Sequence, residues 1–121
     1  YGPEIAKSRL VRARAYMFYG RWNEAYSDLK RAVQIQAEDS LHHFFLGEVC
    51  QELSRHKEAL RAFEQALLLD SNAQHVWLEL GFSAAYTGDF KRASEALQRA
   101  AQVRGSNHPR VQALGQLLLG R

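Results

Sequence analysis

The chain has 121 residues, of which 46% are hydrophobic and 24% are charged, with a formal net charge of +3. This length supports one domain with a hydrophobic core. No apolar run approaches the roughly 20 residues that a membrane-spanning helix needs, so membrane insertion is not expected. A single cysteine excludes an internal disulfide bond, which fits the cytoplasm and equally a bacterial periplasmic helical domain.

The charge is unevenly distributed along the chain. Residues 1–31 and 74–121 are net basic, whereas residues 32–73 are net acidic. A nucleic-acid-binding protein usually gathers its basic residues on one continuous face, so this distribution argues against a nucleic-acid partner. The chain begins with Tyr1 and carries no signal peptide, which we interpret as a piece of a longer protein.

The same residue classes recur three times at a spacing of 34 positions. The columns of small residues are Ala13/Gly47/Gly81, Ala25/Ala59/Ala93 and Ala32/Ala66/Ala100, and the large apolar columns are Leu29/Phe63/Leu97 and Ile35/Leu69/Val103. Small side chains are expected where two helix backbones approach closely. A period of this length predicts a repeat architecture.

In chain order, we predict units at residues 6–39, 40–73 and 74–107, followed by a helix at 108–119 that is a solvating cap or the start of a truncated unit. Apolar residues at three- and four-residue intervals predict two amphipathic helices per unit, at 41–53 and 56–69 in the second. Gly20 and Gly88 suit left-handed helix ends, whereas Ser54 predicts a slightly different turn. The expected helix N-caps are Asp39 or Ser40, Asn72 and Asn107.

The repeats closely resemble the tetratricopeptide repeat signature. The third unit carries it in Trp77, Leu80, Gly81, Ala84, Ala93, Leu97 and Ala100; the second in His43, Leu46, Gly47, Cys50, Ala59, Phe63 and Ala66; the first in Ala13, Tyr16, Gly20, Trp22, Ala25, Leu29 and Ala32. Arg9 and Arg12 depart from the family's apolar residues and predict less regular packing in the first unit. The family's closing proline is replaced by Ala37, Ser71 and Gly105.

The resemblance implies an all-α, right-handed superhelix of antiparallel helix-turn-helix units that covers nearly the whole chain as one domain. It also implies a protein-interaction scaffold rather than an enzyme. In the family, the first helix of each unit lines the concave face of the superhelix. The positions carried over are Lys7, Leu10, Arg14, Met17, Phe18, Leu41, Phe44, Phe45, Glu48, Gln51, Glu52, His75, Leu78, Glu79, Phe82, Ala85 and Tyr86.

The apolar members of this set have two interpretations of equal weight: they pack inside the stack of repeats, or they form a contact surface beside a core that other residues already fill. On the second interpretation, the groove has an aromatic and aliphatic floor with Glu48 and Glu52 in its middle and Lys7 and Arg14 at its N-terminal end. Such a groove suits an amphipathic helix or an extended segment with apolar anchors and at least one basic residue.

Family members that bind the acidic C-terminal tails of heat-shock chaperones use a clamp of lysine, arginine and asparagine side chains. The matching positions here are Leu10, Arg14, Phe45, His75 and Glu79. Only Arg14 is basic, and Glu79 would repel a carboxylate. A carboxylate clamp is therefore not expected.

Metal, cofactor and catalytic sites are not expected. The histidines and the cysteine form neither a His-x-x-x-His nor a Cys-x-x-Cys pair, and Cys50 falls in a core column. There is no glycine-rich phosphate loop and no nucleophile elbow. An alternative function is binding of a carbohydrate or nucleic-acid polymer through the basic ends and exposed aromatics, which a salt titration would distinguish.

The richness in arginine, alanine, leucine and glutamine is typical of a bacterial protein. Bacterial members of the family that the chain resembles often serve envelope assemblies such as pilus biogenesis or exopolysaccharide export, and fold-level analogy suggests a role of this kind. The expected partner is another protein or peptide segment, and a homo-oligomer also fits the sequence.

Overall fold

The computed structural model describes residues 2–102, which form six α-helices. They are α1 Gly2–Phe18, α2 Trp22–Ile35, α3 Ser40–Glu52, α4 His56–Leu69, α5 Gln74–Tyr86 and α6 Phe90–Gln102. The helices of the second unit begin and end within one residue of the predicted positions. The predicted terminal helix at 108–119 and the predicted cap Asn107 lie outside the described residues.

The helices form three consecutive pairs, α1/α2, α3/α4 and α5/α6, stacked in chain order. Each second helix packs on the first helix of the following pair, and α3 also contacts α5 directly. Contacts between different pairs therefore join units that are adjacent in the chain, as in a solenoid. The predicted all-α solenoid of helix-turn-helix units is confirmed.

The small-residue columns lie where helices cross most closely. Ala13, Ala25, Ala59 and Ala93 are all 0% exposed. At Gly47, an added Cβ would lie 2.7 Å from two atoms of the Phe63 ring, and at Gly81 it would lie 2.9 Å from Leu97 Cγ. Both distances are far shorter than a normal carbon–carbon contact. The two helices of each pair can therefore approach this closely only because glycine has no side chain.

The three turns within the pairs have the same backbone conformation. Gly20, Ser54 and Gly88 all have positive φ, at 72°, 60° and 85°. In each turn the next residue donates its amide to the carbonyl five residues earlier, as Arg55 does to Cys50 at 2.7 Å. The expectation of a different turn at Ser54 is therefore wrong. Serine adopts the left-handed conformation because the packed helices and these hydrogen bonds require it.

Replacing Ser54 by glycine is expected to stabilise the protein by about 0.5–1 kcal/mol. The left-handed conformation costs an L-residue roughly 1–2 kcal/mol, and the greater freedom of glycine in the unfolded chain offsets part of that gain. Urea denaturation of Ser54→Gly measures the change, with Gly88→Ser as the reverse control because nothing lies within 4 Å of its missing Cβ. A neutral or destabilising Ser54→Gly would contradict the expectation.

The helix N-caps follow the prediction at one site and depart from it at another. Asp39 caps α3, where its side chain accepts a hydrogen bond from the Leu41 amide at 2.9 Å. The N-cap of α5 is Ala73, which has no side-chain acceptor, so the predicted cap Asn72 is wrong. Asn72 lies in the turn, one residue before the N-cap position. Its backbone N–H donates a hydrogen bond to the Asp70 carboxylate at 3.2 Å.

The two arginines that depart from the repeat pattern share one buried carboxylate. Asp28 of α2 is 2% exposed and accepts hydrogen bonds from Arg9 Nη1 at 3.0 Å and from Arg12 Nε and Nη2 at 2.8 and 2.6 Å. These bonds hold the pKa of Asp28 below its usual value, the Arg12 bond most strongly. In the other units the position of Asp28 is occupied by Ala62 and Ala96. The first pair therefore packs through an ion pair instead of the less regular contact we expected.

Ion pairs also join consecutive second helices along the outer row. Lys30 of α2 lies 3.5 Å from Glu58 of α4, which also accepts a hydrogen bond from the Tyr26 hydroxyl at 2.6 Å. Glu64 of α4 pairs with Arg92 of α6. The carboxylate comes from α4 at both junctions, and these half-exposed pairs contribute little to stability.

Candidate partner-binding groove

The first helices α1, α3 and α5 form one row, connected by side-chain contacts that bypass the second helices. The Arg14 guanidinium of α1 lies 5.1 Å from the centre of the Phe45 ring of α3. The Phe44 ring of α3 meets the His75 ring of α5 edge-on at 4.7 Å. These contacts place side chains of all three units along one surface, which we call the groove.

None of the residues predicted to line the groove is fully buried. Ten are half-buried: Leu10, Met17, Phe44, Phe45, Glu48, Gln51, Leu78, Glu79, Phe82 and Ala85. Seven are exposed: Lys7, Arg14, Phe18, Leu41, Glu52, His75 and Tyr86. The exposed apolar members include Phe18 at 84% and Tyr86 at 76%.

The structure divides the apolar members of the groove into two groups. Leu10, Met17, Phe44, Phe45 and Ala85 pack against the buried core, and the Phe44 and Phe63 ring centres are 6.1 Å apart. Within residues 2–102, Phe82 and Leu78 are half-buried without belonging to that core-packed group. The first interpretation therefore holds for the core-packed group, and for Phe82 and Leu78 the contact surface stays a prediction. A substitution at Phe44 would disturb the fold as well as the groove.

Gln51 forms a structural bridge between two groove helices. Its side-chain amide donates to Ser83 Oγ at 2.9 Å and to the Glu79 carbonyl at 3.3 Å. Ser83 is fully buried on α5, so the bond also satisfies a hydroxyl that burial would otherwise leave unpaired. Sequence reasoning placed Gln51 among the binding positions and missed this role.

The carboxylates of Glu48, Glu52 and Glu79 make the middle of the groove acidic. Burial raises the pKa of Glu48 to about 7, and the nearby charges of Glu79 and Glu52 add to the shift. Within residues 2–102 none of these three carboxylates forms an ion pair or a side-chain hydrogen bond. The groove thus contains negative charge that the described part of the fold leaves uncompensated.

Exposed aromatic side chains lie at the ends of α1 and α5. Phe18 and Tyr19 form an exposed edge-to-face pair with ring centres 5.2 Å apart. Tyr86 stacks on His56, the first residue of α4, with ring centres 4.6 Å apart. Tyr19 and His56 were not among the predicted groove residues, because the repeat pattern places them in the turn and at the start of a second helix.

A second depression lies on the side of the second helices. It was not predicted from the sequence. It has a volume of about 510 Å³ and lies between α4, α5 and α6, with Leu67, Trp77 and Leu80 among its lining residues. The Trp77 indole donates to the Ser71 carbonyl at 2.9 Å, and the Arg99 guanidinium lies 5.3 Å from the ring centre. Trp77 therefore contributes to this surface in addition to its place in the repeat signature.

Three further observations concern metal binding, thiol reactivity and membrane insertion. Residues 2–102 contain no cluster of histidine, cysteine, aspartate and glutamate that could hold a metal ion. Cys50 is 0% exposed, as predicted, and burial raises the pKa of its thiol to about 12, so the reactive thiolate is disfavoured. None of helices α1–α6 is long and apolar enough to cross a membrane.

The helix pairs, their spacing and the small-residue crossings define a tetratricopeptide repeat protein. The family model of the tetratricopeptide repeat matches residues 51–118, which is more than half of the chain. The chain belongs to this family.

Several solved structures have the same fold. The second tetratricopeptide domain of human RPAP3, in complex with the HSP70 peptide SGPTIEEVD, matches with a TM-score of 0.90, 14% identity and 100% coverage of both chains. The Yersinia enterocolitica type III secretion chaperone SycD, in complex with a peptide of the translocator YopD, matches with a TM-score of 0.79 and 15% identity over 94% of this chain and 86% of SycD.

The structure of MamA matches with a TM-score of 0.88 and 20% identity over 95% of this chain and 68% of MamA. No curated protein sequence is significantly similar to this chain. At these identities the structural likeness establishes the fold, and function has to be argued from the groove itself.

Proposed function

We propose that this protein is an interaction module that binds a segment of another protein along the groove formed by α1, α3 and α5. The observation that carries the proposal is apolar surface that the described core does not use: Phe82 is half-buried outside the core-packed group, and Leu41 and Tyr86 are exposed. Exposed apolar residues gathered on one face are typical of a binding surface.

The bound peptides in similar structures support a peptide as the ligand class. RPAP3 carries a peptide of HSP70 and SycD carries a peptide of YopD. The groove chemistry here argues against an acidic tail such as the RPAP3 ligand, because Glu48, Glu52 and Glu79 would repel its carboxylates. We therefore expect a peptide ligand for this protein too, with a different charge.

We further propose the wider setting of this module. The three units that begin at residues 6, 40 and 74 act together as one interaction domain. The module serves a larger bacterial assembly, for which envelope assemblies are the working hypothesis. A non-enzymatic role follows from the family, since a repeat scaffold binds and positions other proteins.

Replacing Phe82 by glutamate is expected to weaken partner binding at least about tenfold, because the change removes an apolar anchor and places a carboxylate where an apolar residue of the partner packs. Peptides selected from a random display library on the unmodified protein serve as probes, and calorimetry measures their affinity. The melting temperature should change little, since Phe82 lies outside the described core-packed group.

Two control variants make this test specific. Phe82→Leu keeps the site apolar and should retain most of the affinity. Leu68→Glu places the same charge on α4, where Leu68 is 78% exposed, and should leave binding unchanged. Peptides that bind Phe82→Glu as tightly as the unmodified protein would show that the groove is not the binding site.

A further inference from the structure

The strongest unexplained feature of the groove is the charge of its middle and C-terminal part. Glu48 of α3 is half-buried, and the charged groups that act on it are Glu79 of α5 and Glu52 of its own helix, both of like charge. Buried charges in proteins are normally paired. Within residues 2–102 nothing supplies a cation to Glu48.

The basic side chains predicted for the groove do not pair with Glu48. Lys7 and Arg14 are on α1, and the Arg14 guanidinium lies on the Phe45 ring instead of beside Glu48. His75 of α5 meets the Phe44 ring edge-on. The charge of the groove therefore changes sign along its length: it is positive in the first unit and negative in the second and third.

We propose that the occupant of the groove is a protein segment that carries a lysine or arginine, whose charged group lies between Glu48 and Glu79 while a neighbouring apolar residue packs on Phe82. This inference rests on the proposed function and specifies its partner. The argument is complementarity: the groove presents apolar surface and uncompensated negative charge side by side, and a segment with both features satisfies both.

The charge distribution also sets the direction of the bound segment. Acidic residues of the partner lie near Lys7 and Arg14 of the first unit, and the basic residue lies over the second and third units. A segment bound in reverse would place like charges together at both ends of the groove, and this repulsion disfavours the wrong orientation and the wrong partners.

Binding of such a cation is coupled to ionisation of Glu48. With the pKa of Glu48 raised to about 7 in the free protein, the carboxyl is largely protonated at pH 6 and largely ionised at pH 8. A cation binds the ionised form, so affinity rises with pH, by up to about tenfold across this range. A Glu48→Gln variant tests this coupling, because it removes the carboxyl group whose ionisation is required.

The test is selection of a random peptide display library on the full chain at low ionic strength. The expected enriched sequences carry a lysine or arginine beside apolar residues. Affinity of one such peptide should fall at least about tenfold with Glu48→Gln and with Glu79→Gln, while Glu95→Gln on α6 leaves it unchanged. Glu48→Gln should also remove most of the rise in affinity between pH 6 and pH 8.

Enriched peptides that are neutral or acidic would overturn the inference, as would basic peptides whose affinity survives both glutamine variants. The Phe82→Glu variant separates this failure from failure of the proposed function. Neutral or acidic peptides that no longer bind Phe82→Glu would keep the groove as the binding site and refute its cationic partner. Basic peptides that bind Phe82→Glu unchanged would refute the groove itself.

Discussion

Gly47→Ala is expected to destabilise the protein by about 2 kcal/mol, although alanine is the better helix former. The new Cβ would lie 2.7 Å from the Cδ1 and Cζ atoms of Phe63, which is 0% exposed and therefore held on all sides. Overpacking a core of this kind costs up to about 3 kcal/mol, and the higher helix propensity of alanine returns about 1 kcal/mol. Thermal and urea denaturation measure the result.

The chain itself provides the compensating substitution. In the first unit the matching pair is Ala13 with Leu29, and both are 0% exposed. Gly47→Ala combined with Phe63→Leu copies that pair, so we expect the double variant to be more stable than Gly47→Ala alone. Phe63→Leu by itself should destabilise, since it leaves a cavity. If the two substitutions destabilise additively, the contact between Gly47 and Phe63 does not limit the packing of this unit.

The fold was predictable because its determinants recur. A close helix crossing allows only a small residue, and this requirement repeats at Gly47 and Gly81, so three copies of the pattern support one another. The turn at Ser54 was mispredicted because its conformation is not determined by the local sequence. Its conformation depends on the packed helices and a hydrogen bond from Arg55 to Cys50, which override the local preference of serine.

The groove was predictable only as a row of positions. The family resemblance implies which helix lines the groove, but the burial of each side chain depends on its neighbours in the adjoining units. Phe44 packs on Phe63 because that ring fills the space left by Gly47. Phe82 occupies the repeat position of Glu48, and nothing in its own sequence neighbourhood distinguishes it from Phe44. Burial of individual groove residues therefore required the structure.

Asp28→Ala is expected to destabilise the protein by about 2–3 kcal/mol at neutral pH. The substitution removes the shared acceptor of three hydrogen bonds from Arg9 and Arg12 and leaves two like charges side by side. Bonds to charged groups contribute more than neutral ones. The loss stays below that of a fully buried pair because the arginine side chains are 37% and 55% exposed and can be rehydrated. Urea denaturation at pH 7 measures it.

The pH dependence of the stability lost in Asp28→Ala shows whether the loss comes from charge or from packing. The pKa of Asp28 is lowered in the folded state, so its stabilising contribution is complete above the unfolded value near 3.9 and is lost as the pH falls through the folded value. The gap between the unmodified protein and Asp28→Ala should therefore narrow in strong acid. A gap that stays constant down to pH 2 would assign the loss to packing instead of charge.

A second substitution tests whether the arginines depend on Asp28. Arg12→Leu together with Asp28→Ala reproduces Leu46 and Ala62 of the second unit, so the double variant should regain stability relative to Asp28→Ala. Arg12→Leu alone introduces the residue of the repeat pattern and should nevertheless destabilise, because it leaves a carboxylate that is 2% exposed with Arg9 as its remaining partner. A residue that fits the repeat is unfavourable here until its partner changes with it.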